Sequence, residues 1–459
     1  MKKMKQHKYL LATIATLIII ASLPSCKKFL DKKPDQTLSV PVTLSEAKNL
    51  LNFYISINCQ SPDMNMESDD DFYMTDALFN SSTQAIKATY TWQKDIDENF
   101  SWESMYRVVL STNVALELTQ KIPPSLQNQT EWNTVKGMAL FHRSYAFYQL
   151  AQSYAAPYNE ATAAALPGIP LRFFSDLNTP VHRGTLEQTY KQVLADLQTA
   201  VPLLPPTSIP LSIPSKAAAY AMLARVYHSM EKYPQALLYS DSSLQLNNSL
   251  INYNSLSTSA AAPFTQFNSE VIFAATLAGL ARFSVNNLLV DSVLYRSYHP
   301  DDLRRGLFFK DLSPQPGYGF KGNYEGNTYG QLFTGLAVDE MYLIKAECQT
   351  RLTSPALSME TLNALLLTRW RTGTFVAYTA SNSQQALDIV LMERRKELLG
   401  RGLRWQDLRR YNQHPSTAVT LRRVIQGNIY QLPPGHPNYT FCIPQLVINE
   451  SGISQNTRQ

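Results

Sequence analysis

The stretch Ala386–Asn412, ALDIVLMERRKELLGRGLRWQDLRRYN, decides how the rest of the 459-residue chain is read. Its first half has a helical period. At about 100° per residue, Ala386, Ile389, Val390, Glu393 and Glu397 fall on one face. Three of these are apolar, so Glu393 and Glu397 continue a buried stripe. Leu391, Met392, Leu398 and Leu399 fill most of the remaining circumference, as in a helix enclosed on nearly all sides. A buried carboxylate is costly unless paired and hydrogen-bonded. Arg394, Arg395, Arg401, Arg404, Arg409 and Arg410 in the same stretch are the candidate partners. Gly400 ends the helix, free to take positive φ, and a second short helix carries Trp405 and Leu408. A nucleic-acid patch does not fit, because Glu393, Glu397 and Asp407 would repel phosphate.

Composition and charge narrow the class. Hydrophobic residues at 44% and aromatics at 11% belong to a well-buried globular chain. The net charge of +5 falls to +1 once the four lysines of residues 1–25 are set aside, so charge argues for no polyanionic partner. Those residues read as a secretory leader: basic MKKMKQHK, then an apolar run from Tyr9 to Ile20 that is short of the about 20 residues a membrane span needs. Leu23-Pro24-Ser25-Cys26 resembles a bacterial lipobox, whose cysteine is diacylated and anchors the protein stably. The alternative is plain secretion with Cys26 an ordinary thiol. Residues 26–42, with Pro34 and Pro41, read as a tether. Cys59, Cys348 and Cys442 remain, too few and too scattered for a disulfide framework or a metal set.

The body alternates between helical and irregular sequence. A helix with a Thr43 or Ser45 cap runs to about Ile57. Cys59–Glu98 has no helical period and reads as a long functional loop insertion. Helices resume at Phe100, over Glu131–Tyr154, and from a Thr185/Gln188 capping box to Leu204. Ser215–Leu246 carries one tetratricopeptide-like unit, with Tyr220, Leu223, Ala224, Tyr227 and Ala236 at its knob-and-hole positions. A single unit cannot bury its own face. The earlier helices, and Asp339–Arg351 followed by Ser358–Arg371, are its expected neighbours. Between them, Leu250–Gly335 breaks the pattern, with a strand in Asn268–Leu277 and loops after it.

Catalytic signatures are few. Gly317–Gly322 spells GxGxxG, but prolines precede it and no helix follows to receive a pyrophosphate, so it reads as a loop. There is no HExxH, no GxSxG and no Walker A lysine. Asp95, Asp97 and Asn99 have calcium-loop spacing, with Phe100 where the turn glycine belongs; they and Glu67–Asp71 read as solvated acidic surface. No cofactor and no metal is expected, and calcium is the one weak candidate.

The ERRKEL…GLRWQDLRR run resembles the C-terminal signature of the RagB/SusD family, carried here by Glu393, Arg394, Arg395, Glu397, Arg404, Trp405 and Asp407. KKFLDKKPD at Lys27, GMALFHRSYAFYQL at Gly137, NSEVIF at Asn268 and FCIPQLVINESGISQN at Phe441 resemble other family motifs and occur in the family order. The resemblance implies an all-α, tetratricopeptide-like scaffold with loop-rich insertions and minor β. It divides residues 43–459 into an N-terminal helical-repeat part (43–250) and a C-terminal part (251–459). It also implies an outer-membrane lipoprotein facing the cell exterior that binds a glycan or other nutrient, does not cleave it, and serves as lid to a TonB-dependent transporter of the SusC type. A lipid-anchored glycosidase and a protein-binding helical adaptor are the alternatives.

Neutral sugars need flat aromatic platforms in loops, ringed by polar groups. Trp92, Tyr73 and Tyr90 lie in the first irregular region; Tyr295, Tyr298, Tyr318 and Tyr324 lie in the second. A ligand cleft between the two regions is therefore expected, with Trp92 as stacking platform. The alternative is that these rings seal loop against helix.

Overall fold

In the computed structural model, which describes residues 41–279 and 283–459, the Ser383–Glu397 helix starts on an Asn382 cap and buries Ala386, Val390, Glu393 and Glu397. The leader, Cys26 and residues 26–40 of the tether lie outside the described residues. The partners of the two glutamates differ from those expected. Arg304, itself fully buried, reaches Glu393 at 2.6 Å, Glu397 at 3.0 Å and Asp302 at 2.7 Å. Arg369 takes the other oxygen of Glu397 at 2.7 Å and binds Glu270 at 2.8 Å. Of the stretch itself, only Lys396 pairs with Glu393.

The local arginines point outward to other elements instead. Arg394 binds Asp407, Arg401 binds Asp339 and Arg410 binds Glu347. Arg409 donates to the carbonyls of Gln152 and Ala155. Helical geometry explains the first of these: Glu393 and Glu397 share the core face, whereas Arg394, one residue on, projects about 100° from it; Arg401, Arg409 and Arg410 lie beyond the end of this helix. Gly400, at φ +72°, closes the turn, and a Cβ there would run into the Phe320 ring.

The helical scaffold is a succession of antiparallel neighbours. Phe100–Lys121 packs on Gln129–Tyr154, which packs on Leu186–Ala200 and then on the pair Lys216–Ser229 and Tyr233–Leu246. Ala224 and Ala236 are fully buried where that pair meets, and Ser243 donates to the Ala217 carbonyl across the same contact. Tyr220 and Tyr227 both stack on Tyr239. The neighbour that covers the pair is Val338–Leu352, followed by Pro355–Leu366. The second of these stops short of Arg371, because Arg369 is drawn into the ionic core. The fold is mostly helical with minor sheets.

Three expectations need correction. The first helix forms on a Thr43–Glu46 capping box but breaks after Leu51, and only a short turn, Tyr54–Ile57, continues it. Cys59–Glu98 is not featureless: it folds into the short helices Met64–Ser68, Asp76–Ser81 and Gln84–Tyr90, the last two capped by Thr75 and Thr83. Helices of one or two turns leave too little apolar periodicity to detect. The GxGxxG run is a strand, not a loop. Tyr318–Phe320 lies inside a four-stranded antiparallel sheet ordered Phe72–Tyr73, Leu289–Val290, Tyr318–Phe320, Phe309–Asp311. Gly319 is required because a Cβ would meet the Val285 carbonyl. This sheet ties the two irregular regions together. The expected strand at Asn268–Leu277 is present as Val271–Phe273, paired with Leu336–Ala337.

Burial alone would raise the carboxyls of Glu393 and Glu397, but Arg304 and Lys396 at the first, and Arg369 and Arg304 at the second, hold both below the usual value. Their contribution to stability is present above the unfolded pKa of about 4.3 and is lost as pH falls through the depressed values. Glu393→Ala is expected to cost roughly 3–5 kcal/mol in urea unfolding at neutral pH, because it strands a buried guanidinium. The penalty of Glu393→Gln should shrink as the same titration is repeated below about pH 4.

Candidate functional site

The sheet brings Tyr73 to the edge of an open cleft of about 390 Å³, within the size range of small-ligand sites. One wall is Asp70 and Phe72–Met74 with Tyr90 and Trp92, from the first irregular region. Asp291–Val293, at the start of the Ser292–Arg296 helix, comes from the second. Thr420–Val424, part of the hairpin strand Leu421–Ile425, and Arg395 close it.

Arginines hold these walls in place. Arg404 grips Asp70 through Nε and Nη2 at 2.7 and 3.0 Å, a two-point contact with fixed geometry. Arg395 binds Asp71 at 2.9 Å and the Asp70 carbonyl at 2.8 Å. Burial would raise the Asp70 carboxyl, but the Arg404 and Arg395 guanidiniums override it and keep that acid well below its usual range. Its neighbours differ: burial lifts Asp71 to about 6 despite Arg395, and lifts Asp69 well above normal with help from the adjacent acids. The Glu67–Asp71 run is therefore not solvated acidic surface, as its composition suggests. It is buried and clamped.

Arg423, on the inward face of the hairpin, donates to the carbonyls of Glu67, Asp69 and Tyr90. Its guanidinium lies 3.5 Å from the centre of the Tyr90 ring and 4.6 Å from that of Trp92, so cation–π contact seals this side. Trp92 is only 4% exposed, and its Nε1 donates to the Ser68 carbonyl at 2.9 Å. An indole used on both its face and its N–H is a wall, not a stacking platform. Tyr90 is likewise buried, with its hydroxyl accepting the Met74 N–H at 2.8 Å.

The tyrosines of the second region do not reach the cleft. Tyr298 and Tyr324 are 2% and 1% exposed. The first donates to the Lys396 carbonyl and the second to Glu270, as parts of the ionic core. Tyr295 and Tyr318 stack on each other with centroids 3.6 Å apart. Of the seven aromatic candidates, Tyr73 alone combines a place on the cleft with partial exposure. Burial, Asp291 and Tyr90 raise its hydroxyl above the usual value, so it stays a neutral phenol.

In the Asp95–Asn99 run, Glu98 accepts from the N–H groups of Phe100 and Ser101, and Asp97 accepts from the Gln445 N–H at 3.5 Å. Among the described residues, the acids close enough to share a metal are Glu270, Asp339 and Glu397. Each already accepts from a guanidinium.

Two family models match the chain. One, described as "Starch-binding associating with outer membrane", covers residues 28–228; the other, described as "SusD family", covers residues 336–450. The chain belongs to the SusD/RagB family. No curated protein matches it in sequence. Among solved structures, a SusD superfamily protein from Bacteroides thetaiotaomicron shares 21% identity, covers 91% of this chain and 100% of its own, and superposes with a TM-score of 0.76. A putative sugar binding protein from Bacteroides vulgatus shares 19%, covering 91% and 99%, with a TM-score of 0.73. Surface glycan-binding protein A from Bacteroides uniformis shares 15%, covering 90% and 99%, with a TM-score of 0.70. At such identities these likenesses speak for the fold.

Within this SusD/RagB chain, the signature residues Arg395 and Arg404 reach the cleft wall through Asp70 and Asp71. Sequence reading missed Asp70, Asp291, Arg395, Arg422 and Arg423 as cleft residues. The legible signal was the acidic run beside an arginine-rich run; pairing them needs the fold. Trp92→Ala should lower stability by about 3–5 kcal/mol, as for a large buried ring. Tyr73→Ala, at the partly exposed position, should cost far less in the same denaturant titration.

Proposed function

We propose that the protein is an outer-membrane receptor that captures an oligosaccharide in the Tyr73 cleft and passes it to a TonB-dependent, SusC-like transporter, over which it sits as a lid. The observation that carries the reading is Tyr73: a half-buried neutral ring on a sugar-sized cleft that Asp70, Asp291, Arg395 and Arg422 also line. A pyranose laid on such a ring buries its C–H face while its hydroxyls meet acids and guanidiniums. Family membership and the sugar- and glycan-binding names of structural neighbours support the ligand class. Anchoring would come through diacylated Cys26, with the body on the outer face of the cell. Among the described residues, no helix is long and apolar enough to cross a membrane.

Binding without cleavage fits the acids present. A glycosidase needs one carboxyl kept protonated to act as acid. Of the acids that line the cleft, Asp70 is held ionised by two guanidiniums and Asp291 spends Oδ1 on the Leu294 N–H; Asp71, which burial lifts to about 6, is not on the lining and is bound by Arg395.

An oligosaccharide array probed with the purified protein tests the reading. Binding that is lost in Tyr73→Ala, without turnover of the bound sugar, is the expected outcome. Release of reducing ends would favour a hydrolase, and an empty array with co-purification of a protein partner would favour an adaptor. Pull-down from membranes should recover a transporter of the TonB-dependent class.

A further inference from the structure

Most of the charge around the cleft is already paired. Asp70 and Asp71 are consumed by Arg395 and Arg404, two acids against two bases. Arg423 spends its donors on backbone carbonyls and its faces on Tyr90 and Trp92. Arg422 is left. It follows Leu421 on the hairpin strand, so strand alternation turns its side chain to the side opposite buried Leu421 and Arg423. It lies on the cleft and is exposed. Among the described residues its side chain has no ion pair, hydrogen bond or ring contact. Asp291 is the one cleft acid not claimed by an arginine among the described residues, and one of its oxygens caps the Ser292–Arg296 helix.

A guanidinium held on a paired strand, sharing a cleft with a neutral aromatic ring and without a carboxylate of its own, lacks only an oxyanion. The strand matters here: Arg422 sits opposite Gln431 in a register of five paired residues, so its backbone is fixed rather than carried on a loop tip. We infer that the cleft is built for an acidic oligosaccharide, whose carboxylate or sulfate pairs with Arg422 while a sugar ring lies on Tyr73. This rests on the receptor reading above and narrows its ligand class.

Calorimetry with three matched probes separates the two levels: an oligouronide, the same oligomer with its carboxyls reduced to alcohols, and a sulfated oligosaccharide of similar length. The native protein should bind an acidic probe about tenfold or more tighter than the reduced one, the size of a charge-assisted hydrogen bond. Arg422→Gln should erase that preference, bringing the acidic probe to the affinity of the reduced one. Arg422→Lys should restore part of it, and raising the salt from 50 to 500 mM in the same titrations should weaken the acidic probe alone, by about tenfold or less for one exposed pair. Whether the uronide or the sulfated probe binds tighter identifies the anion. Equal or tighter binding of the reduced probe overturns the inference, and so does an Arg422→Gln protein that keeps the acidic preference. If neither acidic nor neutral probes bind and a broad array is also blank, the receptor reading itself has failed.

Discussion

Arg304 is the residue on which the architecture turns. One buried guanidinium answers Asp302, Glu393 and Glu397 at once, and Arg369 and Lys396 complete the neutralisation. Replacing such a network with apolar side chains can leave a fold as stable or more so, whereas removing one member strands charge in a medium that solvates it poorly. The network ties four stretches that are far apart in sequence: the turn at Asp302–Arg304, the strand entry at Glu270, the end of the Pro355–Leu366 helix pair at Arg369, and the signature helix. Packing by apolar contact alone would tolerate sliding between these elements. Paired charges with fixed hydrogen-bond directions do not.

From that centre, order passes to the cleft through the opposite side of the same helix. Glu393 and Glu397 face inward, while Arg395, between them in sequence, emerges beside Asp70 and Asp71. Arg404, one turn beyond Gly400 and Gly402, grips the same acids. The signature is thus a two-sided device. Its glutamates lock it to the core and its arginines set the position of the wall that faces the cleft.

How much of this was legible follows from range. The long helices, the Thr185–Gln188 box and the tetratricopeptide-like unit were readable because their signals repeat within one or two turns. The burial of Glu393 and Glu397 was readable for the same reason. Their partners were not, since nothing near Arg304 or Arg369 marks either as a core residue until the chain is folded. The site was read least well. Trp92 stands in irregular sequence, which is the usual mark of an exposed platform, yet Arg423, more than three hundred residues later, covers it. The acidic run at Glu67–Asp71 looked solvated because its arginines lie equally far away.

Arg423 and Arg409 share one habit that reaches beyond stability. Both reach across to main-chain oxygens: Arg423 to those of Glu67, Asp69 and Tyr90, Arg409 to those of Gln152 and Ala155. A carbonyl is present whatever side chain its residue bears. Clamps of this kind hold the path of a loop without dictating its composition, so the surface offered to a ligand can be rewritten by substitution while its scaffold stays put. That separates the part of the wall that can vary from the part that holds its path.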